Sequence, residues 1–418
     1  MADARPFHWE FHPEPIAREI FRIEGGKPLS GTVRVSGSKN AALKLLAAAT
    51  LTGERCRFSN VPEIEDVRVM AETLRDIGVV VDHPSENNYE VASGDVEWLF
   101  VPLEAAAKMR ASFMLLGPLL ARFGRVIISN PGGDRIGRRP VNLHVDAMRS
   151  LGAEIEYRNG YYFARAPGRL RGAEVRFPIV SVMGTENAML AATLADGHTV
   201  IRPAAREPEV DDLIAFLQNM GAGVERTYPD TIEVEGRKRL RGADHRVVSD
   251  RIEAGTFMVA GAVTGGRVTL TDAPCDYLSA FVDVLGGAGV DVSCGQTTIE
   301  VDGRAGLEGG FMARNIETVF EDRLEWLTEL ARMGAEARLL DEHHAEITGP
   351  RPLHGAEVEI GDLRAGASLI LAALAARGTS TILGAHHVHR GYENIDGKFL
   401  ELGARIERVA EGTVTTKS

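Results

Sequence analysis

Residues 36–51 read SGSKNAALKLLAAATL, a Gly-Ser turn followed by a run that is apolar on nearly every side. Ser38 stands where a helix N-cap is expected, and Lys39 and Asn40 follow at the front edge of the predicted helix. A helix without a polar face has no side for solvent. This stretch therefore predicts a helix in the protein interior with a cation at its N-terminus.

The same pattern, polar residues in front of an apolar helix, occurs five times along the chain. Its other copies follow Lys108-Met109-Arg110, Gly184-Thr185-Glu186-Asn187, Asp250-Arg251-Ile252-Glu253 and Asp362-Leu363-Arg364. A second pattern, an apolar stretch that ends in glycine, occurs six times, at Gly78, Gly152, Gly221, Gly289, Gly334 and Gly403. Such glycines are typical of the residue after a helix C-terminus. Repetition at this spacing predicts several copies of one structural unit.

One of the repeated units is short. The intervals between the six glycines are 74, 69, 68, 45 and 69 residues, and the fourth interval contains no apolar helix. The pattern predicts an α/β protein of two similar domains, each built from three units with sheets outside and helices within. The fifth of the six units is expected to be truncated near residues 300–315.

The repeats also suggest where the domains begin and end. Residues 39–248 are expected to form the first domain, with a boundary near residues 246–250. The second domain is expected to consist of residues 19–38 together with residues 249–418. Residues 1–18, which contain three aromatic side chains, are expected to form an N-terminal arm.

The composition excludes several classes of protein. A net charge of −12 argues against a general nucleic-acid binder, because binding to phosphates needs a basic surface. No run of about 18 apolar residues exists, so no membrane span is expected. Three scattered cysteines fit reduced thiols in a cytoplasmic protein better than a disulfide framework or a zinc site. The N-terminus also lacks the apolar segment of a signal peptide.

The charged residues at the helix N-termini predict an anion site. A helix N-terminus carries a partial positive charge and unpaired N–H groups, so several buried helices pointing the same way would attract phosphate or carboxylate. The side chains placed there include Lys39, Arg110, Arg251 and Arg364. The alternative is that these residues are solvated helix caps and surface ion pairs.

At these residues the chain resembles the enolpyruvyl transferases. The resemblance rests on FRIEGGKPLSGTVRVSGSKNAAL, MRASFMLLGPLLARFG, GGDRIGRRPVNLH, REPEVDDL, DRIEAGTFMVA, ETVFEDR, DLRAGASL and HRGYENI, and it covers about residues 19–416. Members that act in the shikimate pathway typically carry Gly-Ser-Lys-Ser at the first helix. The sequence Gly37-Ser38-Lys39-Asn40 resembles instead the members that act on a nucleotide sugar. The implied fold is two inside-out α/β domains with the active site in the cleft between them.

The resemblance implies transfer of the enolpyruvyl group of phosphoenolpyruvate to the 3-hydroxyl of UDP-N-acetylglucosamine, with release of phosphate. This reaction is the first committed step of peptidoglycan synthesis, and it uses no metal or organic cofactor. The chemistry needs cations for a phosphate and a carboxylate, an acid near C3 of phosphoenolpyruvate, and a base for the sugar hydroxyl.

The resemblance also assigns residues to these tasks. Lys39, Arg139 and Arg390 match the positions that bind phosphoenolpyruvate. Asp134 matches the general acid, so that Asp134, Lys39 and Arg390 form the expected catalytic set. Many family members carry Cys at this position, and the Asp form implies insensitivity to fosfomycin, which alkylates the thiol. The positions expected to bind the nucleotide sugar are Asn40, Arg110, Arg139, Pro140, Val141, Asn142, Leu143, Ser181, Val182, Gly184, Arg323, Asp362 and Arg364.

The sequence departs from the family in the short unit. The aspartate that usually deprotonates the sugar hydroxyl has no match here, and Asp302 lies in a turn-like Asp-Gly-Arg. An impaired paralogue that binds a nucleotide sugar therefore remains an alternative. Asn142, where the family usually has Asp, leaves open a different uridine nucleotide as acceptor. The cluster His386, His387 and His389 fits a ligand-facing loop better than a metal site. The sequence gives no indication of the oligomeric state.

Overall fold

The computed structural model describes residues 19–94, 96, 98–133, 140–308, 324, 326–341 and 344–410. The expected N-terminal arm at residues 1–18 lies outside these ranges, as do the expected site residues Asp134, Arg139 and Arg323. Helices and mixed sheets alternate along the described chain, which confirms the α/β class. In this part of the chain, no helix combines the length and the apolar character that crossing a membrane requires.

The helices and strands follow each other in repeated order. The helices in the described ranges are α1 Lys39–Ala48, α2 Glu65–Asp76, α3 Leu103–Lys108, α4 Leu116–Phe123, α5 Asn142–Ser150, α6 Val182–Ala192, α7 Pro208–Asn219, α8 Arg251–Val263, α9 Ser279–Gly287, α10 Leu327–Arg332, α11 Leu363–Ala375 and α12 Ile395–Glu401. The strands are β1 Glu19–Glu24, β2 Ser30–Arg34, β3 Cys56–Ser59, β4 Val80–Ser85, β5 Asn88–Ala92, β6 Phe100–Val101, β7 Arg125–Ser129, β8 Glu154–Arg158, β9 Tyr161–Arg165, β10 Glu174–Arg176, β11 His198–Arg202, β12 Gly223–Tyr228, β13 Thr231–Glu235, β14 Asp244–Arg246, β15 Arg267–Thr271, β16 Asp291–Cys294, β17 Thr298–Asp302, β18 Glu336–Leu339, β19 Ala345–Thr348, β20 Glu357–Glu359, β21 Thr379–Leu383 and β22 Arg405–Ala410.

Five sheets share one topology. Each has four strands, with one parallel pair followed by two antiparallel pairs, in the orders β14-β3-β5-β4, β6-β7-β9-β8, β10-β11-β13-β12, β2-β15-β17-β16 and β20-β21-β1-β22. Among the described residues, the remaining sheet contains only the antiparallel pair of β18 and β19. The two strands of this small sheet follow Gly334, the glycine that ends the short interval.

Two separate hydrophobic cores hold these elements together. The first core is built from residues 41–247, which are contiguous in sequence. The second core combines residues 21–35 with residues 254–406, because β1 lies between β21 and β22 and β2 pairs with β15. The strands β1 and β2 therefore complete two sheets of the second core.

The local signals of the sequence are present in the structure. Ser38 is the N-cap of α1 and accepts a hydrogen bond from the amide of Ala41, as expected. Asp250 and Asp362 cap α8 and α11 in the same way. All six glycines of the second pattern have a positive φ, between 85° and 95°, which confirms that each one ends a helix by reversing the backbone.

Two expectations are wrong in detail. The apolar segment after Arg110 is a 3-10 helix over Arg110–Leu115, and the α-helix begins only at Leu116. Pro118 has no N–H to donate to Met114, so the α-helical ladder cannot extend further back. The cysteines are not all free thiols, because Cys275 and Cys294 form a disulfide across 19 residues. Their scattered positions concealed a pairing that only the tertiary fold creates.

Candidate active site

Two cations that are far apart in sequence meet at one carboxylate. The Nζ atom of Lys39, at the N-terminus of α1, lies 2.7 Å from Oδ2 of Asp66. The Nε atom of Arg390, in the 3-10 segment Ala385–Arg390, donates to Oδ1 of the same carboxylate at 3.0 Å. Lys39 and Asp66 are 8 % and 4 % exposed. The structure therefore brings together two of the three residues expected to bind phosphoenolpyruvate.

Lys39 lies in a strongly cationic environment. Burial lowers its pKa, Asp66 opposes this effect, and the nearby guanidinium groups of Arg364 and Arg390 lower the pKa further. Several positive charges at close range repel one another unless an anion balances them. An anion bound near Lys39 would offset this repulsion.

Hydrogen bonds join the two cores around this cluster. The backbone amide of Lys39 donates to Oδ2 of Asp250 at 3.3 Å, and Asp250 also caps α8 of the second core. Glu393 of the second core accepts hydrogen bonds from the Glu63 amide at 3.0 Å and from the Asn87 side chain at 2.7 Å. Arg390 donates to the carbonyl of Lys108 at 3.2 Å. Lys39 and Arg390 therefore lie at the contact surface between the two cores.

Arg364 and Asp362 lie at the start of α11, on the second core. Asp362 accepts hydrogen bonds from the Arg364 amide at 2.8 Å and the Ala365 amide at 3.1 Å, so its carboxylate is part of the helix cap. The Arg364 guanidinium lies 5.2 Å from the centre of the Tyr392 ring, a cation–π distance. The Tyr392 hydroxyl forms a 2.8 Å hydrogen bond with Thr256, which fixes the ring beneath the guanidinium.

The residues expected near the nucleotide line a cavity of about 430 Å³ on the first core. The Nη2 atom of Arg110 donates to the carbonyl of Pro140 at 3.3 Å, which connects the 3-10 segment to the start of α5. Pro140, Val141 and Asn142 form one wall of the cavity, and Leu143 packs against the first core. The structure thus groups four expected nucleotide residues in one cavity. Its full lining is Arg110, Asn130, Pro131, Pro140, Val141, Asn142, Val145, Asp146, Arg149 and Tyr162.

The N-terminus of α6 carries the next group of expected residues. Ser181 is the N-cap and accepts a hydrogen bond from the Gly184 amide at 3.1 Å. A Cβ atom at Gly184 would lie 2.9 Å from the Ser181 Oγ atom, so a larger residue does not fit there without a shift. Val182 packs against the first core, while Asn40 follows Lys39 on α1 and is half-buried.

Buried polar contacts fix α6 relative to the cavity. The Asn187 side chain accepts from the Gly117 amide at 2.8 Å and donates to the Phe113 carbonyl at 2.9 Å. It also lies 3.0 Å from Nδ1 of His144 on α5. Burial lowers the pKa of His144 to about 3, so the ring is neutral at physiological pH. These contacts join α6 to α4, to α5 and to the 3-10 segment Arg110–Leu115.

Three expected site residues, Asp134, Arg139 and Arg323, lie outside the described ranges. Asp302, at the end of β17, accepts hydrogen bonds from Arg304, whose guanidinium and amide lower the pKa of Asp302 to about 2. This carboxylate is therefore a poor base. Within the described ranges, no group of His, Cys, Asp or Glu residues has an arrangement that could hold a metal ion.

Sequence reasoning missed Asp66, Asp250 and Glu393 as parts of the site. Asp66 follows Glu65 in the first turn of an amphipathic helix, where acidic residues are ordinary because they complement the helix dipole. Glu393 lies in the HRGYENI motif, three residues after Arg390. That position in a matched motif was the only available signal for Glu393.

Comparisons with known proteins place this site in a family. The family model described as EPSP synthase (3-phosphoshikimate 1-carboxyvinyltransferase) matches residues 23–316 and 307–399. A UDP-N-acetylglucosamine 1-carboxyvinyltransferase of Solibacter usitatus is 45% identical, over 93% of this chain and 99% of the relative. Proteins of the same name from Acinetobacter baylyi and Coxiella burnetii are each 42% identical over 93% of this chain, and over 99% and 95% of the relatives.

Solved structures show the same fold. The enolpyruvyl transferase NikO from Streptomyces tendae superposes with a TM-score of 0.82 at 24% identity, covering 94% of this chain and 99% of that one. EPSP synthase from Acinetobacter baumannii has a TM-score of 0.76 at 20% identity, covering 94% of this chain and 100% of that one. The matches in sequence and in fold together show that the chain belongs to the EPSP synthase family of carboxyvinyltransferases.

Proposed function

We propose that this protein transfers the enolpyruvyl group of phosphoenolpyruvate to the 3-hydroxyl of UDP-N-acetylglucosamine and releases phosphate, the first committed step of peptidoglycan synthesis. The observation that carries the proposal is the meeting of Lys39 and Arg390 at one buried carboxylate, between the two cores. The chain matches relatives named for this activity at 42–45% identity over 93% of its length, which supports the choice of acceptor.

The cationic cluster receives phosphoenolpyruvate. Lys39 contributes positive charge from the first core and Arg390 from the second, and Arg139, the third position matched in the family, adds a further guanidinium. Arg binds carboxylate and phosphate oxygens as a planar fork, whereas Lys acts as a point charge. Fixed cations around the substrate also stabilise the negative charge that develops on the leaving phosphate.

The cavity beside Arg110 receives the nucleotide. Pro140, Val141, Asn142 and Leu143 contact the base, because they form or support its wall. The start of α6, with Ser181, Val182 and Gly184, lies along the diphosphate, where free amides at a helix N-terminus favour anions. From the second core, Asp362, Arg364 and Arg323 close on the ligand, and Asn40 contacts the sugar.

The bond changes follow from these positions. The sugar 3-hydroxyl oxygen attacks C2 of phosphoenolpyruvate while Asp134 gives a proton to C3, and the hydroxyl proton leaves to a base. The tetrahedral intermediate then expels phosphate as the double bond forms again and C3 loses a proton. Asp134 has to hold its proton near neutral pH, which an adjacent anionic substrate promotes. The usual basic aspartate has no counterpart, so positioning and charge stabilisation supply more of the rate.

The architecture belongs to the same proposal. Residues 39–248 form one domain of three units, and residues 19–38 with 249–418 form the second, so that the active site lies in the cleft between them. The fifth unit is truncated near residues 300–315. The two-stranded sheet of that unit and the junction of the two family-model segments at residues 307–316 support this placement. Phosphoenolpyruvate is a metabolite of the cytoplasm, and we place the reaction there.

The decisive experiment is phosphate release by the purified protein mixed with both substrates. We expect release that requires phosphoenolpyruvate and UDP-N-acetylglucosamine together. Asp134→Ala is expected to abolish it, whereas Asp134→Cys, which keeps an acid at the same place, retains activity. Release from phosphoenolpyruvate alone, or full activity in Asp134→Ala, would contradict the proposal.

One observation favours a second candidate, an impaired paralogue that binds the nucleotide sugar without turning it over. Five sheets have four strands, and the sheet of the short unit has two among the described residues. Losing a buried helix can cost about 1.5–3 kcal/mol per aliphatic side chain. A folded protein that binds UDP-N-acetylglucosamine in a calorimeter and releases no phosphate would favour this candidate. Tight binding of a different uridine nucleotide would identify another acceptor.

A further inference from the structure

Asp66 is the buried anion at the centre of the cationic cluster, and the proposed bond changes give it no task. It lies in the first turn of α2, where its side chain is 5 % exposed. Its two oxygens face different partners, Lys39 of the first core at 2.7 Å and Arg390 of the second core at 3.0 Å. Arg390 Nη2 also lies 3.5 Å from Oδ2. One carboxylate thus connects the two cores through charge-assisted hydrogen bonds.

We propose that Asp66 is a positioning residue for phosphoenolpyruvate, whose carboxylate holds the Lys39 ammonium and the Arg390 guanidinium side by side so that both face the anionic substrate. This inference rests on the proposed function. It concerns a residue that acts through two others, and it names the substrate whose binding depends on it.

Electrostatics favours this role over simple competition with the substrate. A carboxylate beside the cations could in principle compete with the substrate for them. However, removing one member of a buried ion cluster leaves the remaining charges uncompensated, which is strongly unfavourable. Without Asp66, Lys39 and Arg390 would repel each other and move apart. With it, the three side chains retain a net positive charge that still attracts a multiply charged anion.

The protonation of Lys39 depends on the same contact. Burial lowers the pKa of Lys39, and among its charged neighbours Asp66 is the one that raises it, while Arg364 and Arg390 lower it. Among the described residues, the charged groups that face Lys39 are Asp66 from α2, Arg364 from α11 and Arg390 from the 3-10 segment, with Asp250 accepting from its backbone amide. Neutralising Asp66 favours loss of the Lys39 proton.

The test compares Asp66→Asn and Asp66→Glu with a matched control, Glu65→Gln. Glu65 lies in the same helical turn, but its side chain is 46 % exposed and its carboxylate lies 2.5 Å from the Arg68 guanidinium. In Asp66→Asn, the KM for phosphoenolpyruvate is expected to rise about tenfold or more, because one lost charge pairing is worth at least that factor. The KM for UDP-N-acetylglucosamine stays within about twofold.

Two further readouts separate positioning from a structural role. The alkaline limb of the pH profile of kcat/KM for phosphoenolpyruvate is expected to move to lower pH in Asp66→Asn. Asp66→Glu, which restores the charge, recovers part of the affinity. Circular dichroism and a thermal melt establish that the variants are folded, and Asp66→Glu carries the test if Asp66→Asn does not fold.

An unchanged or lower KM for phosphoenolpyruvate in folded Asp66→Asn would overturn the proposal, since the carboxylate would then be neutral or a competitor. Equal losses for both substrates would also overturn it. If the wild type releases no phosphate, the proposed function fails, and phosphoenolpyruvate binding measured by calorimetry in the same variants decides the role of Asp66. A wild type that binds no phosphoenolpyruvate would contradict both the proposed function and the proposed role of Asp66.

Discussion

Lys44 on α1 and Glu186 on α6 face each other inside the first core, with 3.6 Å between Nζ and Oε2. Lys44 is 4 % exposed and Glu186 is fully buried, and within the described part of the chain neither oxygen of Glu186 accepts a hydrogen bond. Burial raises the pKa of Glu186 to about 7. In a pair buried in this way, each charge mainly offsets the energetic cost of burying the other charge.

Removing only one member of this pair should be costly. We expect Glu186→Gln to lower the free energy of unfolding by about 3–5 kcal/mol, because the Lys44 ammonium is left buried without its counter-charge. Adding Lys44→Met should recover most of the loss. Urea denaturation of the two single variants and the double variant measures the coupling.

The exposed pair of Arg165 and Glu154, 2.5 Å apart, is the control. The coupling energy of this pair, measured in a double-mutant cycle of the same design, should stay below about 1 kcal/mol, as is usual for surface pairs. Strictly additive losses for Lys44 and Glu186 would contradict the interpretation of a coupled buried pair.

The stability of the protein should depend on pH through Glu253. Burial raises the pKa of Glu253 from an ordinary 4.5 to about 7, although Lys398 contacts it. Because the folded state holds this proton more tightly, the stabilisation is fully present below about pH 4.5 and is lost as the pH rises through about 7. The free energy of unfolding should fall by a few kcal/mol across this range.

Comparison with Glu253→Gln isolates this effect. His144 acts in the opposite sense, because its pKa is lowered and its stabilisation is lost on acidification. His144 is present in both proteins, so its contribution cancels in the difference. Urea denaturation at several pH values between about 4 and 8 measures the free energy of unfolding of both proteins. The value for the wild type minus the value for Glu253→Gln should decrease as the pH rises. A constant difference would refute the prediction.

The disulfide between Cys275 and Cys294 should stabilise the second core. It closes a loop of 19 residues between the end of β15 and β16, and a loop of that length corresponds to about 3 kcal/mol. We expect dithiothreitol to lower the free energy of unfolding by that amount. The variant Cys275→Ser with Cys294→Ser should be insensitive to the reductant, and mass spectrometry of alkylated protein reports the redox state.

A wild type that is equally stable with and without reductant would contradict this. The third cysteine does not interfere, because Cys56 is buried and burial raises its pKa to about 11, which keeps the thiol protonated and unreactive. If the protein acts in the cytoplasm, as proposed, the reducing conditions there favour the open form. The reduced protein is therefore the form to use in activity measurements.

The acid at position 134 should determine the response to fosfomycin. The wild type, with Asp134, is expected to keep its rate of phosphate release after long incubation with the epoxide. Asp134→Cys should lose activity with time, because a thiolate can be alkylated and a carboxylate at this position is not the target. Gain of the drug's mass on a peptide containing residue 134 provides the check. Inactivation of the wild type at a comparable rate would contradict the assignment of Asp134.

Local signals in the sequence predicted the framework of the fold. Ser38 caps α1, and Gly78 and its five counterparts end their helices, because these effects depend on neighbours within one turn. The expectation failed at Arg110–Leu115, where Pro118 limits the α-helix. The helix-front pattern pointed to Lys39 and Arg110, whereas Arg390, Pro140, Val141 and Asn142 were predicted only through the family motifs.

The sequence patterns could not predict contacts between residues that are far apart in the chain. Asp66 and Arg390 are 324 residues apart, and nothing in the local pattern of either indicates the other. The same holds for Cys275 and Cys294, whose sulfurs meet only when β15 and β16 are placed in one sheet. The unit between Gly289 and Gly334 could be identified as short, but its length alone does not specify how the second core repacks.

The position of β1 has a consequence for synthesis of the protein. Ile20 pairs with Leu383 and with Val409, so β1 leaves the ribosome long before the two strands that flank it. The first core is contiguous and can fold while the C-terminal third of the chain is still being translated. Until then β1 and β2 present unpaired strand edges, which other chains can bind. Chaperone demand during translation should therefore come mainly from the second core.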